Sequence, residues 1–402
     1  MKISTLIERE PFKKIFQATI EDFLVSKTNI KHQVQYDYQS SLDNKAQAWL
    51  CNPLINSIFI QEANSDIFSS INGEYSYNPH KPWKSIVQKI YLRISQSKFT
   101  AEKLAKYKIY ISPPIQNPES KLFIGGNTKI RLLDTFNNEV FVILKKGFDK
   151  QFIEKELYVK KNFRYLPTPN IIDHGVEGSW YSEEYIQGIP PNRLPAGIGK
   201  VRILEAIECL KKLYSETNDT EYLHDYVLTQ SNNIRNQLKD FKNASTEVIS
   251  SINYIVSKIV KNLMLEKNAK LNLAYCHGDF HQGNILSGVD KFWILDWEYS
   301  GVKHISYDLI IFLLDTRIED GFSDRFINIF NNKINKFQLN VCSNWPGIDW
   351  SNTNSRKIYL LIFLLDDLIF HISESSNSFF YKKDNVLKAR CDEICNIINH
   401  TI

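Results

Sequence analysis

The apolar residues in the second half of this chain recur at helical spacing, and one segment breaks that pattern: CHGDFHQGNILSGVDKFWILDWEYSG, from Cys276 to Gly301. Helical stretches surround it, at about 200–216, at 223–265, in the run HISYDLIIFLLD, and from Asn354 to Ile398. Inside the break, Ile285-Leu286 and Phe292-Trp293-Ile294-Leu295 are short apolar runs joined by a Ser-Gly-Val-Asp turn, a pattern that predicts a hairpin. In an antiparallel pair the start of the first strand and the exit of the second lie at the same end. Asn284 and Asp296 are therefore expected to converge. An amide oxygen and a carboxylate suit Mg²⁺, which takes few protein ligands and fills its remaining positions with phosphate oxygens and water. Asp279, just upstream of Asn284, is then placed to accept a hydrogen bond from a hydroxyl, orient it and take its proton.

Upstream the periodicity is different. KLFIGG, KIRLLD and VFVILKK are three apolar runs separated by the turn-like GGNT and TFNNE, and they predict an antiparallel meander from about residue 119. DKQFIEKELYVKKNF follows, with Phe152, Ile153, Glu156, Leu157, Lys160 and Phe163 along one stripe. It predicts a helix packed on the meander and stopped by Pro167 and Pro169. NIIDHG and SWYSEEYI read as two further strands before the Gly188-Ile189-Pro190-Pro191 break. The expected organisation is an N-terminal extension domain at 1–115, a small antiparallel sheet lobe with its hinge at 116–188 and a helical lobe at 189–402. The fold class is α+β, with an extra N-terminal α/β region. That region contains a helix-like stretch from Pro11 to Ser26, a strand-like run from Leu54 to Gln61 and a helix from Pro82 to about Ser97. The Gly125-Gly126-Asn127-Thr128 turn can bring backbone N–H groups and a polar side chain against phosphates.

Composition removes several classes. With 43% hydrophobic and 23% charged residues the chain is neither collagen-like, coiled-coil nor disordered, and a net charge of +4 does not mark a dedicated nucleic-acid binder. The six cysteines are scattered without a CxxC, which predicts free thiols in a reducing cytosol. His277 and His281 stand at i and i+4, but no third zinc ligand follows at usable spacing. The first residues alternate in character and do not read as a signal peptide. The longest apolar run, Ile358 to Leu365, is far below the ~20 residues that cross a bilayer.

HGDFHQGN followed by ILDWE resembles the aminoglycoside phosphotransferase and choline kinase family, relatives of the protein kinases, over about residues 120–400. The resemblance implies a two-lobed protein kinase-like fold and a cytoplasmic kinase that moves the γ-phosphate of ATP or GTP to a hydroxyl of a small molecule or saccharide. It implies that Asp279 is the catalytic aspartate, that Asn284 and Asp296 are the Mg²⁺ ligands, and that Lys145 reaches the α and β phosphates. Lys146 points to the other face of the strand, and Glu156 pairs with Lys145. Gly126 and Asn127 take the place of the phosphate-covering turn, without the three glycines of protein kinases. Glu184 and Ile186 resemble the backbone positions that meet the adenine edge. Glu183 departs from the apolar residue that is usual there. Asp308 resembles an aspartate that braces the catalytic loop, whereas Glu298 reads either as a support for the metal ligands or as a surface carboxylate. The alternative from another class is a pseudokinase, a nucleotide-binding regulatory module.

The acceptor is open among sugars, amino alcohols and glycans. Asp366, Asp367 and Glu374 on a late helix would favour a cationic acceptor if they reach the site; otherwise the aspartates are solvated charges on an amphipathic helix. In PWKSIVQKIYLRISQSK, the residues Trp83, Ile86, Val87, Ile90, Tyr91 and Ile94 form an apolar stripe that is expected to be buried. Lys84, Lys89, Arg93 and Lys98, continued by Lys103, Lys106 and Lys108, lie outside the stripe. They either form a solvated face or dock an anionic acceptor such as a lipid-linked or surface polysaccharide.

Overall fold

The computed structural model describes residues 2–36, 46–75, 82–175, 178–241, 244–266, 268–315, 321–376 and 383–402. The chain divides into two compact units, Met1–Ile189 with Leu286–Glu298, and Pro190–Ile285 with Tyr299–Ile402.

The first unit is built on a sheet that has nine strands among the described residues. The strands are β1 (Gln33–Tyr36), β2 (Gln47–Asn52), β3 (Ser57–Phe59), β4 (Tyr107–Ser112), β5 (Lys121–Gly125), β6 (Lys129–Asp134), β7 (Glu139–Leu144), β8 (Ile171–His174) and β9 (Trp180–Glu184). They lie in the order β1-β4-β2-β3-β5-β6-β7-β9-β8. The expected meander is β5-β6-β7, and its register is set by the turn at 135–138, which pairs Asp134 with Glu139 and, at the far end, Lys129 with Leu144.

The strands of the N-terminal region continue this same sheet through the β3–β5 pair. Residues 1–115 are therefore not a domain apart: they share a sheet and a compact unit with residues 116–188. The physical reason is the second face of the meander. Phe123, Ile130, Leu132, Phe141, Ile143 and Trp180 project from one side, as strand alternation requires, and they need a cover. Two helices, α1 (Ile3–Arg9) and α2 (Phe12–Thr28), supply it. Phe12, Phe16, Ile20, Phe23 and Leu24 recur at helical spacing on α2 and are buried. Phe16 packs edge-on to Phe123 with ring centroids 5.6 Å apart, and Phe23 meets Phe141 at 5.4 Å and Trp180 at 5.6 Å. Three further helices, α3 (Ser69–Tyr75), α4 (Pro82–Ser95) and the single turn α5 (Ala101–Leu104), lie between β3 and β4. The opposite face of the sheet receives α6 (Gln151–Asn162), the helix expected after the meander.

The second unit is mainly helical: α7 (Ala196–Thr217), α8 (Leu223–Asp240), α9 (Thr246–Leu263), α10 (Tyr307–Leu314), α11 (Phe322–Phe330), α12 (Lys336–Ser343), α13 (Thr353–Ser376) and α14 (Lys383–Thr401). Every residue of α10 is buried, as is the run Tyr359–Leu368 of α13. The expected helical stretch from Asn354 to Ile398 thus contains α13 and most of α14, with 377–382 outside the described residues. A small antiparallel sheet, β10 (Asp219–Tyr222), β11 (Lys270–Cys276) and β14 (Gly301–His304), carries the chain into and out of the interrupting segment. Between β11 and β14 the expected hairpin forms from β12 (Ile285–Ser287) and β13 (Phe292–Ile294). The α+β class read from the sequence is the observed one.

The packing of α2 on the meander predicts that Phe16→Ala lowers the unfolding free energy by about 3–5 kcal/mol, read from urea denaturation. A chain beginning at residue 116 should lose cooperative unfolding altogether, because the apolar face named above would be left to solvent.

Candidate active site

In the second unit the loop that follows β11 is built around Asp308. Its carboxylate accepts hydrogen bonds from the backbone N–H groups of His277 (2.7 Å) and Gly278 (2.8 Å) and from the Tyr214 hydroxyl (2.7 Å). Asp308 and Tyr214 are fully buried, so these charge-assisted bonds have no competition from water. This is the bracing role expected for Asp308. Gly278 has φ +85°, and a Cβ there would collide with the Tyr299 carbonyl oxygen, so the position excludes other residues on two counts.

The loop presents Asp279 with about a third of its side chain exposed. Its backbone N–H donates to His277 Nδ1 at 3.2 Å. Asn284 Nδ2 donates to the Asp279 carbonyl (2.9 Å) and to Oδ2 (3.3 Å), and His281 Nε2 lies 3.4 Å from Oδ2. His281 Nδ1 accepts from the Gly283 N–H at 3.0 Å, which leaves the ring proton on Nε2, facing Asp279. His277 and His281 thus both serve the loop. With its amide nitrogen committed to Asp279, Asn284 has Oδ1 as the atom for a cation.

In the first unit the sequence-predicted residues are arranged differently from expectation. Lys145 does not meet Glu156. It is buried, forms an ion pair with Glu10 at the end of α1, and donates to the carbonyls of Gly126 (3.2 Å) and Asn127 (2.7 Å). Burial pulls its ammonium down to about 8, against the pull of Glu10 in the other direction. Alternation is the reason. Lys145 has the parity of Phe141 and Ile143, which face α1 and α2, and α6 lies on the other side. Lys146 pairs at the surface with Asp22 (2.5 Å).

The lysine that reaches Glu156 is Lys129, the first residue of β6. Its Nζ lies 2.8 Å from Glu156 Oε1, 3.0 Å from Asp296 Oδ1 and 3.1 Å from Glu298 Oε2. Arg131, two residues on and on the same face, contacts the same Asp296 oxygen at 3.0 Å. Tyr181 donates to Glu156 Oε2 at 2.6 Å, and Thr128 Oγ1 donates to Glu298. Burial alone would lower the Lys129 ammonium, but Asp296, Glu156 and Glu298 outweigh it and hold it well above the usual lysine range. Burial pushes the Glu298 carboxyl up to about 7 against the pull of Lys129. Glu298 is therefore no surface carboxylate. The signal for Lys129 was in the sequence: counting back from the 135–138 turn places it opposite Leu144, which puts Lys145 on the wrong face.

Asp296 has φ +67° and follows β13, as Asn284 precedes β12. Lys129 and Arg131 face three carboxylates, one of them Glu298 with its raised ionisation, so the cluster offers hard oxygens, a donor type that fits a divalent ion at Asp296. Gly126 holds a tight turn in which a Cβ would lie 2.7 Å from the Lys129 carbonyl oxygen. Glu184 closes β9, with its N–H committed to the Asn170 carbonyl (3.0 Å), and Ile186 follows once the strand has ended. The unusual Glu183 is explained by Lys160 of α6, 2.7 Å away on the same face.

Residues 167–335, which contain this loop and the hairpin, match the model of the APH phosphotransferase enzyme family. Over that segment the chain is similar to enzymes that transfer a phosphate group. Solved structures similar to it include aminoglycoside phosphotransferase APH(4)-Ia, at 15% identity over 70% of this chain and 94% of that one, with a TM-score of 0.46. Choline kinase LicA from Streptococcus pneumoniae is 14% identical over 70% and 92%, with a TM-score of 0.42. Choline kinase from Cryptosporidium parvum is 16% identical over 69% and 88%, with a TM-score of 0.41. No curated protein matches the chain.

The acidic pair of α13 departs from both readings offered for it. Asp366 and Asp367 are buried and partnered, neither solvated nor facing an acceptor. Arg390 grips Asp367 with two bonds of 2.7 Å, and with His371 it holds the carboxyl below the usual range despite burial. Asp366 accepts from the Tyr226 hydroxyl at 2.8 Å and lies 3.7 Å from His304, whose own ionisation burial pushes down to about 3. Glu374 is half-buried.

Burial raises the Asp366 carboxyl to about 6 from an ordinary 3.8. A carboxyl raised in the fold contributes stability that is fully present below the unfolded value and is lost as pH rises through the folded one. Asp366→Asn cannot titrate. The melting temperature of Asp366→Asn relative to the parent protein should therefore rise between pH 4 and pH 7, as followed by circular dichroism; a flat difference would contradict the assignment.

Proposed function

We propose that this chain is a Mg²⁺-dependent kinase that transfers the γ-phosphate of ATP or GTP to a hydroxyl of a sugar, an amino alcohol or a saccharide. The observation that carries this reading is Asp279: a carboxylate about a third exposed, on a loop fixed by Asp308, oriented by Asn284 and His281, within a segment of phosphotransferase type. In this role Asp279 accepts the hydrogen bond of the acceptor hydroxyl, turns the oxygen toward the terminal phosphate and takes the proton as the new bond forms. Asn284 and Asp296 are the residues that would hold the divalent ion, which when bound screens the phosphate charge. Gly126 and Asn127 form the turn over the phosphates, and Glu184 and Ile186 border the adenine. The free thiols of the six cysteines accord with work in the cytosol.

The phosphate-facing cation is Lys129 in place of Lys145. Its charge is secured by three carboxylates, and Glu156 holds it from α6 just as the expected lysine would be held. The Lys145 donors are already engaged below the turn.

Four measurements test this reading. Labelled ATP and GTP with Mg²⁺ should give transfer to at least one member of a panel of aminoglycosides, choline, sugars and glycan fragments. Tight ATP binding with silence across the whole panel would make the chain a nucleotide-binding module instead. Asp279→Asn should retain ATP affinity and lose turnover by about 10²–10⁴-fold. Lys129→Met should weaken ATP binding by about tenfold or more, measured calorimetrically against adenosine as the phosphate-free control. Folded Lys145→Met should keep the parent preference for ATP over adenosine, and loss of that preference would return the phosphate role to Lys145.

A further inference from the structure

Of the six residues in the apolar stripe of α4 that was expected to be buried, Tyr91 is half-buried and the other five are exposed. Trp83 is 62% exposed, and Ile86, Val87, Ile90 and Ile94 are exposed with it; Phe99, just past the helix, is 89% exposed. The helix meets the rest of its unit through the other side. Leu92 and Ser95 are buried, Tyr91 exchanges hydrogen bonds with Asn52 at 3.3 Å, and Gln96 donates to Asn72 at 2.7 Å. Residues 83, 86, 87, 90 and 94 fall within one narrow arc of a 3.6-residue helix, so the outward face is a continuous apolar strip about 17 Å long. Lys89 and Arg93 border it on one side and Lys84 on the other, with Lys98 beside Phe99. The sequence from Pro82 to Thr100 has no acidic residue.

We propose that this face docks the protein on an anionic phospholipid bilayer. The helix would lie in the plane of the interface, with Trp83, Ile86, Val87, Ile90 and Ile94 among the acyl chains and Lys84, Lys89, Arg93 and Lys98 at the phosphate headgroups. Charge selects this occupant. A strip edged by cations on both sides and free of carboxylates complements a negatively charged sheet of headgroups, and it would repel the same cationic edges on a second copy. The contact is peripheral, since no helix among the described residues is long and apolar enough to cross a membrane. It also gives the basic residues of this region an anionic target without requiring that the acceptor itself be anionic. The proposal does not depend on the catalytic reading.

Co-sedimentation of the full chain with large vesicles tests it. Binding is expected to vesicles of phosphatidylcholine mixed with phosphatidylglycerol, to fall as salt is raised, and to be weak on phosphatidylcholine alone. Ile86→Glu/Ile90→Glu places charge on an exposed strip, so it should melt like the parent while the partition coefficient falls at least about tenfold. Lys89→Ala/Arg93→Ala should lose the preference for the anionic vesicles. The proposal is overturned if the parent protein stays in the supernatant with anionic vesicles, or if Ile86→Glu/Ile90→Glu sediments as the parent does. A dimer detected by light scattering and broken by Ile86→Glu/Ile90→Glu would assign the face to a second copy and overturn it equally.

Discussion

The first unit depends on one buried ammonium. Lys129 gathers Glu156 from a helix, Asp296 and Glu298 from the chain after a hairpin, and its own position from the first residue of a strand. Taking these groups out of water is costly, and only mutual attraction with good geometry repays it. Removing the cation would leave three carboxylates facing one another across a few ångströms. The cluster therefore contributes specificity more than stability. It fixes the rotation of α6 on the sheet and the path of the chain beyond β13, and those are the two features on which the placement of Asp296 rests.

Much of this was legible in the sequence. The meander, α6 and the β12–β13 hairpin follow from apolar alternation, helical spacing and turn residues, all of which are local signals. Asp308 was legible through the family resemblance, which places an aspartate at the start of the helix after the hairpin as a brace for the loop. Lys145 misled for a specific reason. Its place in VFVILKK is set by a resemblance, whereas its direction is set by the register of a hairpin, and the two disagree by one residue. Asp366 and Asp367 misled because a pair of charges in a long apolar helix reads as an exposed edge, while their partners, Tyr226 and Arg390, come from helices remote in sequence. Pairings of that range leave no periodic trace.

The N-terminal region shows the limit of composition as a guide to domains. A change of pattern near residue 115 suggests a boundary, yet hydrogen bonding runs through it from β3 to β5, and the aromatic residues of α2 fill the sheet face that the meander alone would expose. In α4 the same reasoning failed in the opposite direction. Helical spacing established that the apolar residues share a face, but it carries no information about which face meets the protein. The opposite side does so here, through Tyr91, Leu92, Ser95 and Gln96.

Lys145 ends up with a different role, which bears on the turn above it. Its ammonium draws the carbonyl oxygens of Gly126 and Asn127 toward the α1 side of the sheet. In a trans peptide the N–H projects opposite to the C=O. The amides of Asn127 and Thr128 are consequently aimed away from the lysine, as a pair of parallel dipoles with their positive ends outermost. A buried side chain thus sets the direction of the backbone amides in the turn above it.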